Sequence, residues 1–443
     1  MVIAFKRPEH PETAFRGAQG HFTAFIGHRF WYDEMVTARE KKLPRSIVLL
    51  GWVSFFSDVS SEMTYPLLPM YVVSVLGAST VALGFIEGMS QVVISVMAAV
   101  SGFVSNRASA RVPLVRLGYG LPILGKALIA VAWTWHLLFL GRLIDRFGKG
   151  VRGTPRDVLI AEAVEPARRG EAFGFHRAMD TAGACVGVFL AALVLWWFGD
   201  APDARGFRIA LLLAAVLAAG SLFVSLWLRD GSSGGLPAEG NEGPQPIFWG
   251  SVRAFLFSVR GLGRRYWITL SIMAVFSFAN SSDTFLLLKA SKEGIAPEHV
   301  VLLYALYNVS YAALSLPAGR LSDRLGRWSV VGLGWLVYAV VYACVALFSG
   351  PALWPIFLVY GCYMAMTEGV SKALVVDSVD PGNRGTAIGV LYLFLGLSAL
   401  TSNLVAGAMW HAFGSDAPFW LGSGVALMAG VVALALCRRM ESA

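Results

Sequence analysis

Apolar runs of roughly twenty residues, broken by short polar connections, recur from position 46 almost to the end of the chain. A helix of about that length crosses the roughly 30 Å hydrocarbon core of a bilayer. The runs predict twelve transmembrane helices. Six fall in the first half, at 46–76, 81–104, 113–133, 136–160, 170–197 and 207–228. Six fall in the second, at 266–289, 299–318, 328–348, 354–378, 386–413 and 419–437. Between the halves, 231–246 is rich in Gly, Ser and Pro and reads as a flexible linker. Just after it, Phe248, Trp249, Val252, Phe255, Leu256 and Val259 share one helical face, with Arg253 and Arg260 off it. That face predicts a helix lying in the membrane interface.

The second half repeats the first. Gly102-Phe-Val-Ser-Asn106-Arg107-Ala-Ser-Ala-Arg111 follows the second helix, and Gly319-Arg-Leu-Ser-Asp323-Arg324-Leu-Gly-Arg327 follows the eighth. Val164-Glu165-Pro166-x-x-Arg169-Gly170-x-Ala172-x-Gly174 recurs as Val379-Asp380-Pro381-x-x-Arg384-Gly385-x-Ala387-x-Gly389. Ser60-Ser61-Glu62 in the first helix matches Ser281-Ser282-Asp283 in the seventh. The expected fold class is an all-α membrane protein, with its twelve helices in two parallel six-helix repeats. The expected organisation is an arm at 1–45, a bundle at 46–229, a linker with the interfacial helix at 230–264, a bundle at 265–438 and a tail at 439–443.

Composition agrees: of 443 residues, 56% are hydrophobic and 14% charged, against about 25% charged in soluble domains. A net charge of +8 and a pI near 9.4 raise the question of nucleic acid. The basic residues instead crowd the even-numbered connections: Arg107, Arg111 and Arg116; Arg168 and Arg169; Arg253, Arg260, Arg264 and Arg265; Arg320, Arg324 and Arg327. The odd-numbered ones carry few, chiefly Arg205, Arg208, Lys289 and Lys292. The positive-inside rule then puts both termini in the cytoplasm of a multi-pass protein of a bacterial inner membrane, with lipid and not nucleic acid as the partner. Residues 1–45 lack an apolar stretch followed by a small-residue cleavage site, so no cleavable signal peptide is expected. They are either a cytoplasmic arm or residues upstream of a start at Met35. Cys185, Cys344, Cys362 and Cys437 form no CxxC spacing, which argues against a disulfide frame or zinc site and predicts buried free thiols.

With these motifs the chain resembles the major facilitator superfamily over 46–440. The Gly-x-x-x-Asp-Arg-x-Gly-Arg pattern after helices 2 and 8 is diagnostic of that family. Its Gly permits close helix contact, its acid caps a neighbouring helix, and its Arg residues sit among anionic headgroups. The copy at Gly319, Asp323, Arg324, Gly326 and Arg327 is complete. The copy at Gly102, Asn106, Arg107 and Arg111 has an uncharged Asn where the acid belongs. Helix 5 is similar to a signature of the family's proton-coupled antiporters: Gly174, Gly183 and Gly187 keep its spacing, while Val188 replaces a Pro and Ala191-Ala192 replace two Gly. The runs 55–63, 148–157 and 175–181 resemble an uncharacterised bacterial permease subgroup, which implies a transporter without naming its substrate.

Charges at membrane depth cost about 2.5–3.5 kcal/mol on insertion scales and usually face a cavity or a partner. In helix 4, Arg142, Asp145, Lys149, Arg152 and Arg156 recur every three or four residues as one stripe that cannot face lipid. Arg142 and Asp145 are expected in a cavity or gate, whereas Arg152 and Arg156 are expected to snorkel to the headgroups. Asp58 and Glu62 lie one turn apart on one face of helix 1, with no basic residue on that helix beside them. A carboxylate in a low-dielectric cavity can take up and release a proton near neutral pH. Asp58, Glu62 and Asp180 are therefore the candidate proton carriers, and Glu87, Lys149, His176, Arg177, Asp283 and Glu368 join Arg142 and Asp145 as cavity or gating candidates. Asp180 beside Arg177, and Glu368 four residues from Lys372, can equally be packing ion pairs. Phe55, Phe56, Tyr65, Tyr71, Tyr304 and Tyr307 can line a site for an organic solute or anchor helices.

These readings converge on a secondary transporter that exports a small organic solute against protons by alternating access, as a monomer and without a cofactor. The competing expectations are divalent-metal export, solute import, and a membrane sensor that transports nothing. No GxSxG, HExxH or nucleotide-binding loop marks an enzyme, and Gly148-Lys149-Gly150 is too short for a P-loop.

Overall fold

A computed structural model describes residues 43–104, 111–165, 168–198, 204–228, 259–379 and 384–440. The arm at 1–42, most of the linker with its predicted interfacial helix, and Asn106, Arg107, Asp380 and Pro381 lie outside them. The first bundle consists of α1 (Arg45–Thr64), α2 (Thr80–Val104), α3 (Arg111–Ala130), α4 (Trp135–Glu162), α5 (Arg169–Phe198) and α6 (Arg205–Ser225). The second begins with α7 (Arg264–Ala279) and α8 (Asp283–Lys292). It continues with α9 (Pro297–Leu325), α10 (Arg327–Leu347), α11 (Leu353–Asp377), α12 (Arg384–Phe413) and α13 (Ala417–Met440). Because α1, α3, α5, α7, α10 and α12 all start at the same end with Arg, that end is called basic below and the other distal.

Two spans depart from a straight helix, and both irregular stretches lie towards the distal end. After α1 the chain passes through a 3-10 turn at Tyr65–Leu67, one helical turn at Leu68–Met70 and a π-turn at Tyr71–Val75. Pro66 and Pro69 remove backbone donors here, which is how a regular ladder is lost. The predicted helix 7 is broken into α7 and α8 at 280–282. Its freed groups find partners on α12: Ser402 donates to the Asn280 carbonyl at 3.1 Å, and the Ser282 N–H donates to Asn403 Oδ1 at 2.6 Å. Without such partners a broken helix at membrane depth would leave costly unsatisfied backbone. The two breaks meet, with Tyr65 Oη 3.3 Å from Ser282 Oγ.

Among the described residues, nine helical segments are long and apolar enough to cross a membrane. The remaining spans, α1 with its irregular tail, α4 and α11, complete the twelve. They fall short because polar and ionisable residues lower their apolar content: Asp58 and Glu62 in α1, the charged stripe in α4, and Glu368 and Lys372 in α11. Glycine sets the closest approaches inside and between the bundles. A Cβ on Gly125 of α3 would sit 2.6 Å from the Gly141 carbonyl of α4 and 2.7 Å from Asp145 N. Gly183 and Gly187 of α5, two glycines of the antiporter-like signature, press on α1 at Phe55 and Val59, whereas Gly174 faces open space. Across the two halves, α2 and α12 are joined along their length. Gly84 meets Asn403, a Cβ on Gly88 would lie 2.6 Å from Leu400, Gly396 meets Ser95, and Thr80 donates to the Gly407 carbonyl at 2.9 Å.

Among the described thiols, Cys185 is exposed and Cys344 and Cys362 are half-buried, not buried as expected; the side chain of Cys437 lies outside the described residues.

The glycine contact between α3 and α4 yields a paired test. Gly125→Ala forces backbone apart beside Asp145 and should cost about 1–3 kcal/mol of stability. Gly153→Ala, in the same bundle with nothing within 4 Å of the added carbon, should be neutral or slightly stabilising. Thermal unfolding of the two purified variants reads the difference directly, and equal melting temperatures would contradict it.

Candidate functional site

The charged stripe of α4 is drawn inward onto partners from three other helices. Arg142 donates to both Glu87 oxygens of α2, at 3.1 and 3.4 Å. Asp145 receives three cations: Arg146 at 2.8 Å, Arg142 at 3.6 Å and Lys126 of α3 at 3.8 Å. Lys126 also donates to Ser60 and Ser61 of α1, at 2.7 and 3.2 Å. Arg142 and Lys126 are each only 1% exposed. Buried charges this far from water hold only when paired and hydrogen-bonded, and removing one partner typically costs about 3–5 kcal/mol. Pairing is incomplete at one point. Arg142 Nε and Nη1 are buried without a hydrogen-bond partner, and its guanidinium lies 5.8 Å from the Tyr65 ring centre.

Arg152 does not snorkel as expected. It is buried, donates to Ser57 Oγ at 2.7 Å and the Gly118 carbonyl at 3.2 Å, and lies 4.3 Å from the Tyr119 ring centre. Those acceptors on α1 and α3, with the aromatic face, replace the headgroups. Arg156 is nearer the expectation, pairing with Asp157 at 2.9 Å.

Asp58 and Glu62 of α1 face a cavity of about 500 Å³ together with Asp180 and Arg177 of α5. The opposite wall belongs to α9, with Tyr304, Asn308 and Tyr311. Tyr304 donates its phenol proton to Glu62, so a hydrogen bond joins the two bundles at the candidate proton carrier. Lys149, exposed on α4, lies in electrostatic reach of Asp58 and Glu62, as Arg146 does of Glu62. The acids of α1 thus have basic neighbours after all, supplied by another helix. Asp180 Oδ2 lies 3.4 Å from His176 Nδ1, and His176 Nε2 lies 2.7 Å from Ser54 Oγ. Asp180 Oδ1 is buried without a partner.

The second bundle answers this charged wall with phenols. Asp283, in the first turn of α8, accepts from Tyr307 at 2.5 Å and Tyr360 at 2.7 Å. Tyr338 and Tyr342 of α10 stack at 3.8 Å, and Tyr363 of α11 reaches Asn280 at 3.3 Å. Asp283 is therefore apart from the cavity acids. Glu368 lies towards the basic end, exposed, 3.5 Å from Lys372 and accepting from Tyr311 at 2.7 Å. Lys126, Arg146 and the tyrosines at 338, 342, 360 and 363 were not singled out in the sequence. The signals were there: a lone Lys in an apolar helix, and phenols at i,i+4 and i,i+3.

Of the repeated loop motif, Gly319, Asp323 and Arg327 line a second cavity of about 380 Å³ at the basic end. Arg327 also pairs with Asp377 at 2.5 Å, tying α10 to α11, and Arg324 is exposed. In the first copy Gly102 falls in the last turn of α2, Arg111 pairs with Glu162, and Asn106 and Arg107 are outside the described residues.

Comparison with known proteins places the chain by family and fold. The chain is 32% identical over 402 residues to an uncharacterized MFS-type transporter of Methanocaldococcus jannaschii, covering 89% of this chain and 96% of that one. It is 23% identical over 345 residues to the multidrug resistance protein MdtH of Escherichia coli, covering 76% and 79%. Among solved structures it shares the fold of the nucleoside transporter NupG, with a TM-score of 0.70, 15% identity and coverage of 89% and 99%. A likeness of the same kind to a peptide transporter of the POT family has a TM-score of 0.69 at 15% identity, covering 89% and 95%. The Major Facilitator Superfamily profile matches residues 50–292 and 270–443, and the chain belongs to that superfamily of membrane transporters.

Proposed function

We propose that the protein is a proton-coupled exporter of a small organic solute, working by alternating access. The observation that carries this reading is the Tyr304–Glu62 hydrogen bond, which spans the two bundles at the wall of a cavity also lined by Asp58 and Asp180. An ionised Glu62 makes that bond charge-assisted, and such bonds are roughly twice as strong as neutral ones. Protonation of Glu62 weakens the tie between α1 and α9 and lets the bundles rock. Asp58, one turn away, and Asp180 are the further proton carriers, and each proton released frees a carboxylate for the next cycle. The multidrug resistance name of the MdtH relative supports export over import. In this reading the basic end faces the cytoplasm of a bacterial inner membrane, both termini are cytoplasmic, and a monomer with no catalytic chemistry does the work. A divalent metal is the less supported cargo: among the described residues no group of three or more His, Cys, Asp and Glu side chains is placed to hold one.

Two outcomes test the reading in proteoliposomes with an imposed proton gradient. Asp58→Asn combined with Glu62→Gln should abolish proton-driven flux while leaving solute binding measurable. Undiminished proton-driven flux in that double variant would sink the assignment. Tyr304→Phe removes only the phenol proton donor to Glu62. It should lower coupled turnover by about ten- to a hundredfold, as expected for losing a single hydrogen bond to a charged group, with little change in melting temperature. Wild-type turnover in that variant would remove Tyr304 from the coupling step.

A further inference from the structure

His176 of α5 is buried beside the cavity acids, and the transport reading gives it no part. A chain of polar contacts runs from it across three helices. Nδ1 lies 3.4 Å from Asp180 Oδ2 on the same helix, and Nε2 lies 2.7 Å from Ser54 Oγ of α1. Ser54 Oγ lies 3.2 Å from Tyr119 Oη of α3, and the described residues offer Tyr119 Oη no other hydrogen-bond partner. Ser54 and Tyr119 are 1% and 0% exposed, so bulk water does not reach them. The two hydroxyl protons of this chain decide the state of the ring. With Nε2 bare, Tyr119 donates to Ser54, Ser54 donates to Nε2, and both protons are used. With a proton on Nε2, the ring donates to Ser54 and one hydroxyl proton has no acceptor at hydrogen-bond distance. Buried polar groups are rarely left so. The ring is therefore neutral, and its one proton sits on Nδ1, facing Asp180. The other charged groups in reach of the ring, Arg156 of α4 and Arg177 of α5, are both cations.

We infer that His176 is a positioning residue for the proton site at Asp180 and is not itself a proton carrier. Tyr119 and Ser54 hold the ring so that Nδ1–H is presented to Oδ2, which leaves Oδ1 as the oxygen that takes a proton. When ionised, Oδ1 is buried with no hydrogen-bond partner. Once protonated it becomes a donor, and Ser54, in reach of this carboxyl, keeps a lone pair free to accept. Loading Asp180 thus completes the one hydrogen bond that the cluster lacks. Asp58 of α1 is the other acid in reach of Asp180, with Arg156 and Arg177 as its cations. The inference rests on the transport reading above and adds to it the residues that shape one proton site.

Solid-state NMR of the full chain in lipid vesicles, isotopically labelled at its histidine nitrogens, reads the ring directly. The His176 signals, assigned by their loss in His176→Asn, should show a bare Nε2 and a protonated Nδ1 at pH 8 and at pH 6. A protonated Nε2 at either pH would overturn the inference. Infrared difference spectra between pH 8 and pH 5 then follow the carboxyl stretch of Asp180, assigned by its loss in Asp180→Asn. His176→Asn puts an amide N–H where Nδ1 stood and cannot carry a proton, so it should keep the wild-type stretch and midpoint. His176→Leu has no donor and should tighten proton binding at Asp180 about ten- to a hundredfold. A wild-type midpoint in His176→Leu, or the same shift in both variants, would overturn the positioning role. The ring measurement uses the native chain and decides even if His176→Leu does not fold. Absence of an Asp180 band over that range would instead end its role as a carrier, which is the reading on which the inference rests.

Discussion

Asp145, nearly buried in the first bundle and held by Arg142, Arg146 and Lys126, is the interaction on which the rest of the site depends. A lone carboxylate there would be intolerable, and so would any of its three cations. Satisfying them draws α3 and α4 together closely enough that only glycine fits at 125 and 141, and places Lys126 against Ser60 and Ser61 of α1. The register of α1 is thereby set, and with it the position of Glu62, the next residue along. The charge cluster thus acts as the rigid support for the acids that face the cavity.

The two bundles share a topology but not a chemistry. The first places its polarity in buried ion pairs, and the second places it in tyrosines around Asp283. Phenols donate hydrogen bonds without adding charge, so the second bundle can meet the acids of the first without a new Coulombic penalty. Tyr304 does this for Glu62, and where the two broken spans touch, Tyr65 of the first bundle meets Ser282 of the second, again without charge. The hydrogen bond that Tyr304 makes to Glu62 across the bundles is therefore one that a proton on the acid weakens, where an ion pair would lock.

Helix positions were legible because lipid demands about twenty apolar residues in a row, and α4 runs Trp135–Glu162 where the pattern predicts 136–160. What escaped depends on partners far away in sequence. The break at 280–282 looks in sequence like a mild turn inside an apolar run, and becomes affordable only through Ser402 and Asn403. Arg152 reads as a snorkelling residue until Tyr119 and Ser57 come to it. Asp58 and Glu62 were identified as an acidic pair on one helical face, but their basic neighbours sit on α4 and their phenol on α9. Periodicity reports which face of a helix is polar and says nothing about which helix it meets.

The central claim is that the protonation state of Glu62 sets which way the bundles tilt. Spin labels at Arg169 and Leu325, the basic ends of α5 and α9, allow their separation to be measured by double electron–electron resonance in lipid at pH 8 and pH 6. The account predicts that the distance distribution of the wild type shifts between the two pH values, and that Glu62→Gln holds the pH 6 distribution at both. A wild-type distribution that ignores pH, or a Glu62→Gln variant that retains the full shift, would contradict it.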